Sequence, residues 1–68
     1  MNKDESEIFN LLLKAGPLRA VQIYETLHMG FHRLYPALHN LRKQDLILGR
    51  KQPGNKLTYE LTGLKPPN

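Results

Sequence analysis

The densest set of chemically useful side chains lies between residues 32 and 43. Six of them carry hydrogen-bonding or positively charged groups: His32, Arg33, Tyr35, His39, Asn40 and Lys43. Pro36 lies among them and belongs to the same candidate DNA-binding surface. Arginine reads guanine through two parallel hydrogen bonds, and asparagine pairs with adenine or with a phosphate. A second polar set, which is mainly basic, follows shortly after: Arg50, Lys51, Gln52, Asn55 and Lys56. This pattern favours a polyanion, above all nucleic acid, as partner.

Other kinds of chemistry lack the residues they need. The chain contains no cysteine, which excludes disulfides, thiolate zinc sites and cysteine nucleophiles. His28, His32 and His39 have no supporting ligands, so we expect no metal and no cofactor. Ser6 is the only serine, and no glycine-rich phosphate loop occurs, so the chain is not expected to be an enzyme. We also expect no small-molecule ligand, because so small a domain should lack room for a cavity of about 300 Å3 or more.

Length and composition indicate one small domain. The chain has 68 residues, a net charge of +4 and a hydrophobic fraction of 40%, which is enough for a core. We expect residues 1–64 to fold and residues 65–68 to form a disordered tail. No apolar run approaches the roughly 18 residues that a membrane span requires. The first residues are acidic, unlike a signal peptide, and these features together favour a cytoplasmic protein without membrane association.

Hydrophobic spacing predicts three helices. Residues 4–15 place apolar side chains at helical spacing, and Gly16 with Pro17 should end this helix. Residues 19–27 predict a second, shorter helix. A third is expected from about Phe31 or His32 to Gln44, with its buried side formed by Leu34, Leu38 and Leu41.

Residues 46–61 predict a β-hairpin. Two short runs, 46–51 and 56–61, are rich in strand-forming residues, and the second alternates apolar with polar positions. The turn signals Pro-Gly and Gly-Asn lie between them. We therefore expect the basic residues of this region to lie at or near the tip of a hairpin.

Pro36 stands inside the third predicted helix. Proline in a helix interior costs about 3 kcal/mol, whereas the first turn tolerates it because its N–H groups have no intrahelical partner. If the helix begins near His32 or Arg33, Pro36 lies at the end of that first turn. Its simplest role is then to shape the start of the helix.

The first helix carries more apolar surface than one core contact requires. Phe9 and Leu13 lie about 100–140° away from the main apolar stripe. We expect this second stripe to form a homodimer interface through the first helix. The alternative is that the hairpin or the C-terminal tail folds over it.

The order of elements predicts an α+β fold, mainly α: a winged helix-turn-helix, with three helices followed by a β-hairpin wing. In such a fold the second helix of the helix-turn-helix enters the DNA major groove. The wing would touch the adjacent backbone or minor groove. Arg19, at the start of the second helix, is a further candidate for a phosphate contact.

The sequence resembles the PadR-type winged-helix regulators. Leu34, Tyr35, Pro36, Leu38 and Leu41 match the Leu-Tyr-Pro-x-Leu-x-x-Leu pattern of their recognition helix. The pair Leu46-Ile47 is similar to the start of the wing, and Tyr59, Leu61 and Thr62 are similar to the closing strand of PadR- and MarR-type wings. Asp45 departs from the glycine usual in the family. The C-terminal helices that dimerise PadR proteins have no counterpart in these 68 residues.

The resemblance implies a sequence-specific regulator of transcription, expected to be a repressor, whose partner is double-stranded DNA. A different class of function remains open. A winged helix also serves as a protein-interaction module or inhibitor whose basic face docks on an acidic protein surface, without reading DNA sequence. Steep salt dependence and a preference for one DNA sequence would distinguish the first function from the second.

Overall fold

The computed structural model describes residues 1–66, and its architecture is the predicted winged helix. Three helices and a three-stranded antiparallel sheet follow one another as α1 (Lys3–Ala15), β1 (Leu18–Arg19), α2 (Ala20–Leu27), α3 (Phe31–Lys43), β2 (Ile47–Gln52) and β3 (Lys56–Leu61). The α+β class, with three helices before a hairpin wing, is confirmed. The expected disordered tail, residues 65–68, lies partly outside the described residues.

Both ends of α1 are set by local sequence. The side chain of Asn2 accepts a hydrogen bond from the backbone N–H of Glu5 at 2.8 Å, which satisfies one of the free donors at the helix start. At the other end Gly16 has a φ of 81°, and its N–H bonds to the carbonyl of Leu12. Glycine adopts this left-handed region without steric cost, so Gly16 ends the helix as expected.

A short strand, β1, is not among the predicted elements. Arg19, predicted to start the second helix, belongs to β1 and is the N-cap residue of α2, which begins at Ala20. The sheet order is β1-β3-β2, with Leu18 opposite Tyr59 and Arg19 opposite Thr58. This pairing attaches the middle of β3 to the segment that leads into α2.

The core lies between the helices and one face of the sheet. Its fully buried large side chains are Ile8, Ile23, Met29, Leu34, Leu38, Leu41 and Leu46. Phe9 also belongs to it, with 9% of its surface exposed. The expectation that Phe9 lies outside the core-facing surface of α1 is therefore wrong, because the core extends around the helix as far as Phe9. Leu13, by contrast, is 61% exposed.

Helix α3 starts at Phe31, with Gly30 immediately before it. The first intrahelical bond joins the N–H of Leu34 to the carbonyl of Gly30 at 2.9 Å. Pro36 therefore lies in the second turn, one step further into the helix than expected. Because proline has no N–H, the carbonyl of His32 lacks its usual partner four residues on.

The connection from α3 to β2 turns at Asp45, whose φ is 59°. Aspartate adopts this left-handed region more readily than most residues, although glycine does so without penalty. The hydroxyl of Thr62 donates to the carbonyl of Asp45 at 2.6 Å and ties this turn to the end of β3. Among residues 1–66, no helix has the length and apolar character needed to cross a membrane.

Candidate nucleic-acid interface

The outward face of α3 is polar and exposed. It lies opposite the buried side, which is formed by Leu34, Ala37, Leu38 and Leu41. At 100° per residue, the positions most nearly opposite that side are His32, Pro36, His39 and Lys43, and all four are exposed. These four predicted site residues therefore share one surface.

Two other predicted site residues of α3, Arg33 and Asn40, are exposed as well but have partners on α1. The guanidinium of Arg33 forms an ion pair with Asp4 (Nη2 to Oδ1 2.6 Å, with Nε to Oδ2 3.2 Å). This hydrogen bond holds the pKa of the Asp4 carboxyl below its ordinary value and raises the pKa of Arg33. The side-chain amide of Asn40 donates to the buried carboxylate of Glu5 at 3.2 Å. Arg33 and Asn40 are exposed, as predicted for the polar face and its flank, and both also have a partner in the acidic first turn of α1. Their contact with DNA stays a prediction.

On the opposite flank of α3 an open groove of about 460 Å3 separates the helices from the tip of the wing. Its lining residues come from β1, α2, α3 and the wing, and among the described residues none of them is an acid: Arg19, Ala20, Val21, Phe31, Tyr35, Gly54, Asn55, Lys56, Leu57 and Tyr59. This groove is open to solvent, whereas the expectation for so small a chain concerned a ligand cavity of about 300 Å3 or more, which stays a prediction. Four predicted site residues from distant parts of the sequence line this groove together: Arg19, Tyr35, Asn55 and Lys56.

Three exposed aromatic rings form a stack beside this groove. The rings of Tyr24 and Phe31 lie 4.7 Å apart with 12° between their planes, and those of Phe31 and Tyr35 lie 5.5 Å apart at 24°. Tyr24, Phe31 and Tyr35 remain 40%, 42% and 50% exposed. Of these three residues, only Tyr35 is a predicted site residue. The spacing of Phe31 and Tyr35, four residues apart on one helix, was the signal available for Phe31.

Lys51 and Arg50 lie on opposite faces of the two-stranded wing. In the register of β2 with β3, Lys51 lies opposite Leu57, and Gly49 lies opposite Tyr59. Residues opposite each other on paired strands share a face of the sheet, and successive side chains along a strand alternate between the two faces. Lys51 therefore lies on the same face as Leu57 and Tyr59, and these two residues line the groove. Arg50 lies on the other face.

Arg50 is also held by an acidic neighbour. Its Nε donates to Glu60 Oε1 at 2.7 Å, which lowers the pKa of the Glu60 carboxyl and raises that of Arg50. Gln52 donates to the hydroxyl of Thr58 at 3.2 Å. Arg50 and Gln52 therefore have partners within the wing, whereas Lys51 points to the groove side without a carboxylate partner among the described residues.

A second basic cluster lies at the C-terminal half of α3. His39, Arg42 and Lys43 line a shallow depression of about 380 Å3. Arg42 was not among the predicted site residues. It lies seven residues, or about two turns, after Tyr35, so helical periodicity places it on the same flank.

Five basic side chains of this surface have no ion pair among the described residues: Arg19, Arg42, Lys43, Lys51 and Lys56. The two ion pairs found in residues 1–66 hold Arg33 and Arg50 instead. No grouping of three or more histidine, aspartate or glutamate side chains suited to a metal ion occurs in that part of the chain. The surface thus offers positive charge and hydrogen-bond donors.

Of the two residues predicted to form the dimer surface, Phe9 is buried in the core and Leu13 is exposed. Leu13 borders an open groove of about 330 Å3 together with Phe9 and residues beyond β3, among them Leu64 and Pro66. The C-terminal segment therefore approaches the apolar side of α1, as the alternative interpretation expected. A homodimer through α1 stays a prediction.

Comparison with known proteins identifies a fold and no family. Neither a protein-family model nor a curated protein matches the sequence, so the chain is not assigned to the PadR or MarR families. A similar solved structure is the Zalpha domain from Carassius auratus PKZ in complex with Z-DNA, with a TM-score of 0.76 and 17% sequence identity. The match covers 88% of this chain and 94% of that chain. At this identity the similarity establishes the winged-helix fold.

Proposed function

We propose that this chain is a double-stranded DNA-binding regulator of transcription that reads sequence with α3 and holds the backbone with its wing. His32, His39 and Lys43 face the major groove, with Pro36 between them. Arg19, Lys51 and Lys56 contact phosphates on either side. Repression, the direction that the PadR-type resemblance implies, follows if the bound site overlaps a promoter.

The observation that carries this proposal is the distribution of free charge. The five basic side chains without an ion pair lie in β1, along α3 and on the wing. Arg19 and Lys56 line the groove, in which no described lining residue is an acid, and Arg42 and Lys43 line the second depression. The acids that neutralise Arg33 and Arg50 lie on α1 and on the far face of the wing. A basic stripe next to an exposed helix is the expected electrostatic footprint of a DNA-binding surface.

The residues tied to α1 have a different role in this proposal. Arg33 and Asn40 orient α3 through Asp4 and Glu5 and do not read bases. Replacing Asn40 by alanine should then lower stability more than it alters sequence preference. His39→Ala should alter sequence preference with little effect on stability.

Selection of bound sequences from a random pool of duplexes tests the proposal directly. A sequence-specific regulator enriches one motif, and its affinity for that motif falls steeply with salt. Binding that is independent of salt, or absent at low salt, contradicts the proposal. That result would favour the protein-interaction module, which a screen against acidic proteins would then test.

A second candidate follows from the solved structure similar in fold, which binds Z-DNA. In this alternative the same surface recognises the shape of a left-handed duplex rather than a base sequence. Circular dichroism of an alternating CG duplex distinguishes the two, because a Z-DNA binder converts its spectrum to the left-handed form. Enrichment of a mixed-sequence motif without conversion supports sequence reading by α3.

A further inference from the structure

The exposed apolar side chains near the wing form one patch. Val21, Tyr24, Phe31, Tyr35 and Leu57 are all large hydrophobic residues with substantial exposure, and four of them line the groove between α2, α3 and the wing. Tyr24 is the exception, because it lines a separate depression with His28 and Gly30. Side chains of this size are usually buried, so an exposed group of them marks a contact surface.

The orientation of the aromatic stack singles out Tyr35. Its ring stacks on that of Phe31, which also stacks on that of Tyr24. Tyr35 nevertheless stays half exposed and borders the groove. At its Tyr35 end, the stack thus presents a half-exposed planar side chain to the groove, and an aromatic side chain of this kind stacks on planar groups.

A base in an intact duplex is not that group. In the major groove a B-form duplex presents the edges of its bases, while the faces are covered by neighbouring base pairs. Base faces become available where nucleotides are unpaired, and there they stack on aromatic side chains. The groove therefore fits an unpaired nucleotide better than a base-paired one.

We propose that this groove binds an unpaired nucleotide of a DNA strand that continues from the bound duplex, with its base stacked on Tyr35. Arg19 and Lys56, at the same groove, hold the phosphates of that nucleotide. The two basic lining residues, with no acid among the described ones, match a phosphodiester, and the lining side chains Val21, Phe31 and Leu57 match a base. This proposal rests on the proposed function, because it places a single-stranded extension beside a duplex on the same surface.

Three DNA ligands of one sequence test the proposal by fluorescence anisotropy. The first is a blunt duplex, the second carries a short unpaired extension, and the third carries an extension of equal length made of abasic nucleotides. We expect about ten-fold tighter binding of the base-bearing extension than of the blunt duplex, as one base–aromatic stack provides. The abasic extension keeps the added phosphates, so it measures the contribution of charge alone and should bind much less tightly.

Variants of the stack assign the effect to Tyr35. Tyr35→Leu keeps an apolar side chain but removes the planar ring, and it should bring the ratio of the blunt-duplex to the extended-duplex dissociation constant close to one. Tyr35→Phe should preserve the ratio. Tyr24→Leu is the matched control, because it removes an exposed ring of the same stack outside the groove, and it should also preserve the ratio. Thermal unfolding of each variant shows that the fold is intact.

Each result has a defined meaning. Equal affinity for blunt and extended duplexes, equal binding of the abasic extension, or an unchanged ratio in Tyr35→Leu overturns the stacking proposal while leaving duplex binding in place. A further outcome is that the unmodified protein binds a single-stranded oligonucleotide but no blunt duplex, and that Tyr35→Leu abolishes this binding. That outcome supports nucleotide binding in the groove and contradicts the proposed duplex function. The two proposals therefore fail separately.

Discussion

Lys51 and Arg50 are adjacent in the wing, yet they are expected to contribute very differently to DNA binding. Lys51 shares a face with Leu57 on the groove side of the sheet. Arg50 lies on the opposite face, 2.7 Å from Glu60. The variants Lys51→Gln and Arg50→Gln each remove one positive charge from neighbouring positions, so their effect on net charge is the same. A difference between them reports the direction in which each side chain points.

The size of the effect follows from the number of free cations. Each phosphate contact contributes about −0.9 to the slope of log K against log salt concentration, so the five unpaired cations allow a slope of about −4.5 at most. Lys51→Gln should make the slope shallower by about 0.9. Over a four-fold change in salt, this amounts to about a 3.5-fold change in affinity. Arg50→Gln should leave the slope unchanged.

Anisotropy titrations of a labelled duplex at several salt concentrations measure both slopes. Thermal unfolding is the control, because loss of the Arg50–Glu60 pair must not be confused with loss of the wing. If both variants reduce the slope equally, the reasoning from sheet faces is wrong and the wing binds DNA through general charge. If Arg50→Gln alone reduces it, Arg50 exchanges Glu60 for a phosphate, and the proposed orientation of the wing is reversed.

Three further predictions concern stability and assembly. Pro36→Ala should raise the free energy of unfolding by about 1–3 kcal/mol in chemical denaturation, because alanine restores the N–H that proline lacks; an unchanged or lower value contradicts the position assigned to Pro36. The carboxyl groups of Asp4 and Glu60 have pKa values below their ordinary values of 3.8 and 4.5. The stability that these groups contribute is therefore present when the pH is above those ordinary pKa values, and it is lost as the pH falls through the lowered pKa values of the folded protein. Denaturation at neutral and acidic pH should accordingly show a smaller acid loss in Asp4→Asn than in the unmodified protein, and an equal loss would contradict the ion pair. Sedimentation equilibrium tests the homodimer through α1: Leu13→Glu should convert a dimer to a monomer, and a monomeric unmodified protein at tens of micromolar refutes the dimer.

The helices and the hairpin were predictable because local interactions determine them. Helical spacing of apolar residues, Gly16 at the end of α1 and the turn signals before Asn55 each act over a few residues. The observed bounds of α1, α3 and both wing strands therefore follow the pattern in the sequence closely. The strand β1 has no such pattern, because two residues form it only by pairing with β3, which lies about 40 residues further along the chain.

By itself the sequence determined the fold class, the excess of positive charge on α3 and the wing, and the outward positions of His39 and Lys43. Tertiary structure decided which polar groups remain free. Asp4 and Glu5 lie 29 and 35 residues from Arg33 and Asn40, and only the packing of α1 against α3 brings these pairs together. The groove beside Tyr35 likewise forms only when α2, α3 and the wing meet. Helical and strand periodicities arise from the backbone and can be read locally, whereas a side chain's partner depends on contacts between distant segments.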